Sequence, residues 1–368
     1  MLALRVANMV LALGTGFASA QTWQMDEFMI GGWGGPVDEV TAKAFVDAGF
    51  NACMGKVEHL ELCRAHGLKA ILFDATPEFA REHQGDEAIW GYYVQDEPKP
   101  EQFVEAGQRL AAFQEADPTH PGYINLMSWM PIANYFEAVP ARFLSYDYYQ
   151  WWWGTANHFT QLAAYRQGAL DAKVPLICWV EANADKRYEW GEAGAGYLPD
   201  NKAKLRQSVF TALAYGMKGI QWFTTGLVFN QDGSLTESGK DVQAINASLR
   251  MLGPILIRLR SDAVWQTEPL PLAGEPLPAA GPVATESPDL VIGSLVDDAD
   301  RSRYLLVVNR AVDRAQLADV TLRGLSAGAE RLDLHTGRWR DLGRPAEDGT
   351  LRTELRLDAG DGKLLRVR

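Results

Sequence analysis

The sequence predicts an α/β protein in which a (β/α)8 barrel is followed by a small antiparallel β-sandwich. Short apolar strands alternate eight times with amphipathic helices over about 230 residues, a length typical of such a barrel. A proline-rich stretch follows, and the helical periodicity ends there. Beyond it, short strands are separated or followed by turn residues such as Thr336-Gly337 and Asp361-Gly362, which favours a sandwich.

The first half of the predicted barrel has clear element ends. The helix after Pro36 is expected to place Val37, Val40, Ala44 and Phe45 on its apolar face. Gly67 ends the second helix, and Pro98, which cannot donate a ladder hydrogen bond, ends the fourth strand. The predicted strands of this half are Phe28–Trp33, Asn51–Gly55, Lys69–Asp74 and Trp90–Pro98.

The second half repeats the pattern up to a long last helix at about Ser238–Arg258. In the helix Asn201–Tyr215, the residues Leu205, Val209 and Leu213 share one face. The predicted strands are Gly122–Met127, Phe143–Tyr149, Leu176–Glu181 and Gly219–Thr224. An open doubly wound sheet is the alternative fold, but no Gly-x-Gly-x-x-Gly motif follows the first strand.

The chain divides into four predicted segments. They are a secretory leader at 1–20, the barrel at 21–262, a proline-rich linker at 263–288 and the β-sandwich at 289–368. In the leader, Arg5 precedes an apolar run, and Ala18-Ser19-Ala20 supplies the small residues of a cleavage site. The apolar run is too short to span a membrane comfortably. We therefore expect a mature protein that begins at Gln21 and is secreted or periplasmic.

Composition narrows the classes of partner. The chain has 368 residues, of which 47% are hydrophobic and 22% charged, as in ordinary globular proteins. Its net charge of -12 argues against nucleic acid and anionic membranes, because binding to those partners needs basic patches. An acidic protein is compatible with a neutral sugar, so we expect a carbohydrate ligand and neither a nucleic-acid nor a membrane partner.

Cysteine and histidine usage gives no sign of a metal or a cofactor. The three cysteines, Cys53, Cys63 and Cys178, are favoured as buried thiols, and a Cys53–Cys63 pair is the alternative. The six histidines are scattered, without the clusters that metal sites need. A Gly-x-Ser-x-Gly nucleophile motif is also missing from the sequence. We expect neither a metal nor a cofactor.

Two predicted strands end in carboxylates. The fourth ends in Asp96-Glu97-Pro98, and the seventh ends in Glu181. Because an unpaired carboxylate is costly inside a buried strand, we expect these groups at the carboxyl ends, where barrels bind ligands. The alternative for Asp96 is a cap on the helix that begins near Glu101, and for Glu181 it is a helix cap or a surface ion pair.

The positions of these two strands in the barrel predict how Glu97 and Glu181 lie relative to each other. Strands four and seven lie on opposite sides of a barrel mouth, so Glu97 and Glu181 would face each other across a cleft. Carboxyl pairs about 5–5.5 Å apart hydrolyse glycosides with retention, and pairs about 6.5–9.5 Å apart with inversion. This arrangement resembles the superfamily of retaining glycoside hydrolases built on (β/α)8 barrels. The resemblance implies that Glu97 is the acid/base and Glu181 the nucleophile.

The resemblance covers Phe28 to about Arg260 and departs from the superfamily at one position. The superfamily usually has an asparagine before the acid/base, whereas this chain has Asp96, which would accept a sugar hydrogen bond or donate the proton itself. The segment Leu213–Ile220 is also similar to β-galactosidase-like members. Glu181 needs a hydrogen-bond donor to stay ionised, and Tyr148 is the candidate by position.

Aromatic residues favour a sugar ligand, because sugar C–H faces pack on aromatic rings. The chain has 12 tryptophans, several of them at predicted strand ends or in loops. At least one ring of the run Trp151–Trp153 is expected to line the cleft or a lid. Two further strand-end carboxylates are candidates for binding sugar hydroxyls, with ion pairs as the alternative. The expected substrate-binding residues are Asp96, Trp33, Asp74, Asp147, Tyr148, Trp152, Trp179 and Trp222.

The sequence thus predicts a secreted glycoside hydrolase that cleaves an oligo- or polysaccharide by retaining double displacement. A carbohydrate-binding barrel without activity is the alternative, because it would keep the tryptophans and need no carboxyl pair. For the C-terminal domain, a structural role is favoured over sugar binding, because aromatic residues are sparse there and Trp339 is its one tryptophan.

Overall fold

A computed structural model describes residues 23–189 and 196–368, without the side chains of 188 and 189. The predicted leader at 1–20 and its cleavage site lie outside the described residues, as does Trp190 in the loop after the seventh strand. Within the described ranges, no helix combines the length and the apolar character needed to cross a membrane.

The N-terminal part is an eight-stranded parallel sheet curled into a barrel, which confirms the predicted fold class. The strand order is β1-β8-β7-β6-β5-β4-β3-β2. The strands are β1 (Met29–Gly32), β2 (Ala52–Gly55), β3 (Lys69–Leu72), β4 (Ile89–Asp96), β5 (Gly122–Met127), β6 (Leu144–Asp147), β7 (Leu176–Glu181) and β8 (Gly219–Phe223).

Asn51 ties the two ends of this strand order together. Its backbone N–H donates to Ile30 O at 3.1 Å. Its side-chain Oδ1 accepts from Ile30 N at 2.7 Å. One residue just before β2 thus bonds twice to a residue of β1, which brings the first and second strands side by side.

Helices surround the barrel and begin where the sequence offers caps. They are α1 (Glu39–Asp47), α2 (Leu60–Ala65), α3 (Pro77–Glu82), α4 (Phe103–Ala116), α5 (Ile132–Ala138), α6 (Gln150–Trp153), α7 (His158–Ala172), α8 (Lys186–Glu189), α9 (Asn201–Ala214) and α10 (Glu237–Leu256). Thr76 caps α3, whose first residue is Pro77, and Thr236 caps α10.

The predicted apolar face of the first helix was right at Phe45 and wrong at Val37 and Val40. Asp38 caps α1 in a reciprocal arrangement: its Oδ1 accepts from Thr41 N, and Thr41 Oγ1 accepts from Asp38 N. Val37 therefore precedes the helix, and both Val37 and Val40 are exposed. The helix buries Phe45, as predicted, together with Ala42.

The C-terminal part consists of two antiparallel sheets, in the orders β10-β13-β16 and β15-β14-β17-β12-β11-β9. Their strands are β9 (Leu259–Gln266), β10 (Val283–Ala284), β11 (Leu290–Asp297), β12 (Arg303–Asn309), β13 (Gln316–Leu322), β14 (Ala329–Asp333), β15 (Arg338–Gly343), β16 (Leu351–Leu357) and β17 (Gly362–Val367). The two sheets enclose a core of their own, which confirms the predicted sandwich.

The predicted boundary between barrel and linker needs a correction. Strand β9 begins at Leu259, inside the range 21–262 assigned to the barrel, and pairs with β11 of the larger C-terminal sheet. Strand β10, inside the range assigned to the linker, pairs with β13. Strand β9 was missed because its buried positions include the polar residues Ser261 and Gln266, and β10 was missed because it has only two residues and follows Pro282.

Candidate active site

A cavity of about 250 Å³ opens at the carboxyl ends of the barrel strands. Three carboxylic residues, Asp96, Glu97 and Asp147, contribute to its lining. Aromatic rings form most of the remaining wall, and they belong to Trp33, Tyr149, Trp152, Trp153, Trp179 and Phe223. The cavity therefore combines acidic groups with apolar surface at the edge where parallel barrels bind ligands.

Strand β4 delivers two adjacent carboxylates because its end is irregular. The register between β4 and β5 shifts between Tyr93 and Gln95, so that Asp96 pairs with Asn125 of β5. Glu97 then takes a left-handed backbone conformation with φ of 43°, and its N–H donates to Asn125 O at 2.9 Å. Such a conformation costs a non-glycine residue about 1–2 kcal/mol and is enriched at functional sites.

Asn125 holds Asp96 through a polar network inside the barrel. Ser145 Oγ donates to Asn125 Oδ1 at 2.8 Å, which leaves the amide nitrogen free to face Asp96. Burial and the nearby Glu97 raise the pKa of Asp96 to about 6, although a hydrogen bond from Asn125 opposes the rise. Deeper in the barrel, Tyr123 Oη accepts from Trp179 Nε1 at 2.9 Å and so fixes that ring of the cavity wall.

Asp147 is the most deeply placed carboxyl group of the cavity. It ends β6 and is only 5% exposed. Burial, together with the charge and the hydrogen-bonding contact of Glu97, raises the pKa of Asp147 well above its usual range, while a hydrogen bond from Tyr149 opposes the rise. Its Oδ1 is buried without a hydrogen-bond partner among the residues that the structure describes.

Glu181 ends β7 as predicted, but its environment differs from the expected one. The side chain is fully buried and is not among the described residues that line the cavity. Oε1 accepts from the backbone N–H of Trp151 at 2.9 Å, whereas Oε2 has no partner within the described part of the chain. Burial raises the pKa of Glu181 to about 8, so the side chain is mostly protonated at neutral pH.

Tyr148 does not supply the hydrogen bond that was expected for Glu181. Its hydroxyl donates to Gly154 O at 2.6 Å, and the donor to the carboxylate is the backbone of α6. The expectation that Glu181 stays ionised with a tyrosine partner therefore needs this correction. A main-chain donor could not be read from residue types, because every non-proline residue carries one.

Two further predicted contacts lie outside the cavity. Trp222 is fully buried on the outer face of β8, where its Nε1 donates to Asn246 Oδ1 of α10 at 2.8 Å. Gln221 points into the barrel instead, because successive side chains of a strand face opposite sides. Asp74 is exposed and accepts from Val57 N at 2.8 Å, so it supports a neighbouring turn.

The structure brings together the other predicted side chains and adds several that were not predicted. Trp33, Trp152 and Trp179 line the cavity with the three acids. Trp153, from the predicted run Trp151–Trp153, also lines the cavity, and the unpredicted lining residues are Asn125, Tyr149, Lys186 and Phe223. A polar residue inside the apolar strand Gly122–Met127 was the available signal for Asn125, whereas nothing in the sequence marked Lys186.

No model of a known protein family matches the chain, and no curated protein matches its sequence. Similar solved structures include a glucosidase from Croceicoccus marinus, 13% identical, with a TM-score of 0.46 over 93% of this chain and 96% of the other. An α-L-arabinofuranosidase from Thermotoga maritima is 11% identical, with a TM-score of 0.48 over 93% and 97% of the two chains. CelM2, a bifunctional glucanase-xylanase from a metagenome library, is 9% identical, with a TM-score of 0.46 over 94% and 96%. Because these identities and TM-scores are low, the similar structures do not identify the activity of this chain.

Proposed function

We propose that this protein is a secreted glycoside hydrolase that cleaves an oligo- or polysaccharide by retaining double displacement. The observation that supports this proposal is the cavity in which Asp96, Glu97 and Asp147 lie beside six aromatic rings. Glycoside hydrolysis uses one carboxyl group that is protonated and a second that is ionised. Aromatic walls bind the C–H faces of sugars and exclude water from the reacting bond.

Glu97 is the proposed acid/base. It lies where β4 ends, open to the cavity, with Asp96 and Asp147 close enough for their charges to affect one another. Three neighbouring carboxyl groups do not all ionise readily, because each negative charge disfavours the next, so the cluster retains a proton. Glu97 would give a proton to the leaving oxygen and later take one from the attacking water.

Double displacement also needs a carboxylate that attacks the anomeric carbon. Glu181, the nucleophile implied by the family resemblance, is separated from the cavity and bonded to the backbone of Trp151. Asp147 lines the cavity beside Glu97. The mechanism therefore requires either a movement that brings Glu181 into the cavity or a different nucleophile.

A panel of nitrophenyl glycosides and polysaccharides tests the function. We expect the wild-type protein to cleave at least one of them, with retention of the anomeric configuration by NMR. The substitution Glu97→Gln should lower kcat/KM on the order of 10²–10⁴-fold, because it removes the transferable proton. The control Asp74→Asn, at an exposed strand end outside the cavity, should leave turnover unchanged.

Two results would contradict the proposal. Binding of an oligosaccharide without any turnover by the wild-type protein would indicate a carbohydrate-binding barrel instead. Full activity of the Glu97→Gln variant would remove Glu97 from the mechanism. Export is tested separately, by N-terminal sequencing of the protein recovered from the medium or periplasm, which should begin at Gln21.

A further inference from the structure

We propose that a basic cavity between α7, the end of α10 and β9 is a binding site for a phosphate group, either free or part of a small ester. The cavity has a volume of about 290 Å³ and lies at the amino ends of β7 and β8, whereas the candidate active site lies at the carboxyl ends of the barrel strands. Its basic lining residues are Arg166, Lys173, Lys218, Arg258 and Arg260. This inference does not depend on the proposed hydrolase activity.

The lining of this cavity has a charge opposite to that of the whole chain, whose net charge is -12. Basic side chains come from α7, α10, β9 and the residue before β8, and no aspartate or glutamate of the described part of the chain lines the cavity. Much of the remaining wall is apolar and consists of Leu170, Val174, Leu176, Tyr215 and Leu259. Charges of one sign between apolar walls concentrate ions of the opposite sign, so the cavity favours an anion.

Lys218, the residue before β8, has a donor left for such an anion. Its ammonium group donates to Leu256 O and Leu259 O, where α10 ends and β9 begins. An ammonium group has three N–H bonds, so these two carbonyl groups leave one of them for a ligand. Burial lowers the pKa of Lys218 to about 7, because the surrounding groups do not compensate the charge. A bound anion would supply that compensation.

Arg166, on α7, lines the same cavity and also keeps unused donors. Its Nε donates to Ser261 Oγ at 2.7 Å, and its Nη2 donates to Asp262 O at 2.9 Å, both in β9. A guanidinium group has five N–H bonds in a planar fork, so three remain, in the geometry that oxyanions accept. The charges of Glu275 and Asp262 favour the ionised form, but burial outweighs them and lowers the pKa of Arg166. Because Arg166 already joins the barrel to β9, an anion bound to it would strengthen that junction.

The other three basic residues, Lys173, Arg258 and Arg260, are exposed and add positive charge around the two inner cations. Arg258 is only loosely paired, with Nε 3.8 Å from Asp297 Oδ2. Arg260 contacts Asp298 more closely, with Nε 2.9 Å from Oδ2. Several cations around one small cavity match a doubly charged phosphate group better than a carboxylate, which carries a single charge.

Titration with inorganic phosphate tests the site, by calorimetry at pH 6.5 and at an ionic strength held constant with chloride. We expect one phosphate per chain with a Kd of about 1 mM or lower, and a melting temperature about 1–3 °C higher in 10 mM phosphate than in chloride. Lys218→Met should abolish binding. The double variant Lys173→Asn with Arg258→Gln should weaken it about fivefold or more, because it removes two charges near the anion.

These variants have matched controls. Lys173 has a left-handed backbone with φ of 57°, which asparagine tolerates, and Arg258 is exposed, so the double variant should fold. Lys240→Gln removes the same kind of charge from an exposed position near the other end of α10 and should leave the phosphate affinity unchanged.

Glucose 6-phosphate distinguishes the two sources of the phosphate group. Tighter binding than that of inorganic phosphate would assign the site to a phosphate ester, and weaker or equal binding would assign it to the free ion. The inference is overturned if the wild-type protein neither binds phosphate nor gains stability beyond the chloride control, or if the double variant binds phosphate as tightly as the wild-type protein does. The second criterion holds even where Lys218→Met fails to fold. Neither result bears on the proposed hydrolase function, because no glycoside is used.

Discussion

At the scale of single residues, environment separates carboxyl groups that look alike in the sequence. Glu97 and Glu181 both end predicted strands, yet Glu97 is open to the cavity and Glu181 is fully buried. Burial without a counter-charge penalises the ionised form, which is why the pKa of Glu181 rises to about 8. The same residue type thus serves as a candidate acid at one strand end and as a neutral buried group at the other.

The buried Glu181 should make stability depend on pH. The folded protein keeps its proton up to about pH 8, whereas the unfolded chain loses it near the usual value of 4.5. Between these values the folded state binds more protons, so the free energy of unfolding should fall as the pH rises, on the order of a few kcal/mol in total. We expect Glu181→Gln, which is uncharged throughout, to raise the melting temperature relative to wild type at pH 8 but hardly at pH 5.

The matched control is Glu101→Gln at an exposed position, which should change the melting temperature little at either pH. Thermal unfolding followed by circular dichroism at both pH values measures the difference. An equal effect of Glu181→Gln at pH 5 and pH 8 would show that the side chain does not titrate between them, and the assigned protonation would be wrong.

At the scale of elements, strand ends and one short helix build the cavity wall. The alternation of side chains along β8 sends Gln221 inward and Trp222 outward, so the latter packs beneath α10. The short helix α6 supplies Trp152 and Trp153 directly after β6, which carries Asp147. The acidic residue Asp147 and the aromatic rings of Trp152 and Trp153 therefore come from one continuous stretch of the chain.

Trp153 is the ring of this helix that is most open to solvent, with 46% exposure. If it packs on a sugar unit, Trp153→Ala should raise KM about tenfold, equivalent to roughly 1–1.5 kcal/mol of aromatic contact, and leave kcat nearly unchanged. Steady-state kinetics on an oligosaccharide substrate measures the two constants. Trp129→Ala is the control, because Trp129 is also exposed and lies outside the cavity lining. A lower kcat with an unchanged KM would contradict a role in binding.

At the scale of the whole molecule, the barrel and the six-stranded C-terminal sheet share a hydrophobic core, and the two C-terminal sheets enclose a second one. Leu205 and Leu213 of α9 belong to the same buried cluster as Val291 and Leu306 of the six-stranded sheet. The contact is close: a Cβ at Gly293 of β11 would lie 2.3 Å from Ala214 O. A continuous core of this kind favours a single cooperative unfolding transition for both parts.

Gly293→Ala should therefore destabilise the entire chain and not the sandwich alone. The added methyl group forces the sheet away from the backbone of α9, at a cost of about 1–3 kcal/mol. Differential scanning calorimetry should show one transition, shifted downward by several degrees. Gly196→Ala is the control, because a Cβ there meets open space. Two separate transitions in the variant or in the wild-type protein would contradict a shared core.

Local patterns were sufficient for most of the fold. The eight barrel strands coincide with the predicted ones to within a few residues, because alternating apolar strands and amphipathic helices report burial directly. They failed at β9, which depends on a distant partner, and at the start of α1, which depends on a local cap. Strand β9 exists because β11 pairs with it, and the face of α1 follows from the cap at Asp38. The pattern of hydrophobic residues alone predicts neither the pairing of β9 with β11 nor the residue at which α1 begins.

The sequence by itself determined the barrel, the appended sandwich and the presence of acids and aromatics at strand ends, because these depend on periodicity and residue type. Only the tertiary structure decided which acids share a cavity: Asp96, Glu97 and Asp147 meet there, whereas Glu181 is buried against the start of α6. The reason is that strand twist, the irregular end of β4 and the path of the following loops orient each side chain, and these features arise from contacts between residues far apart in the chain.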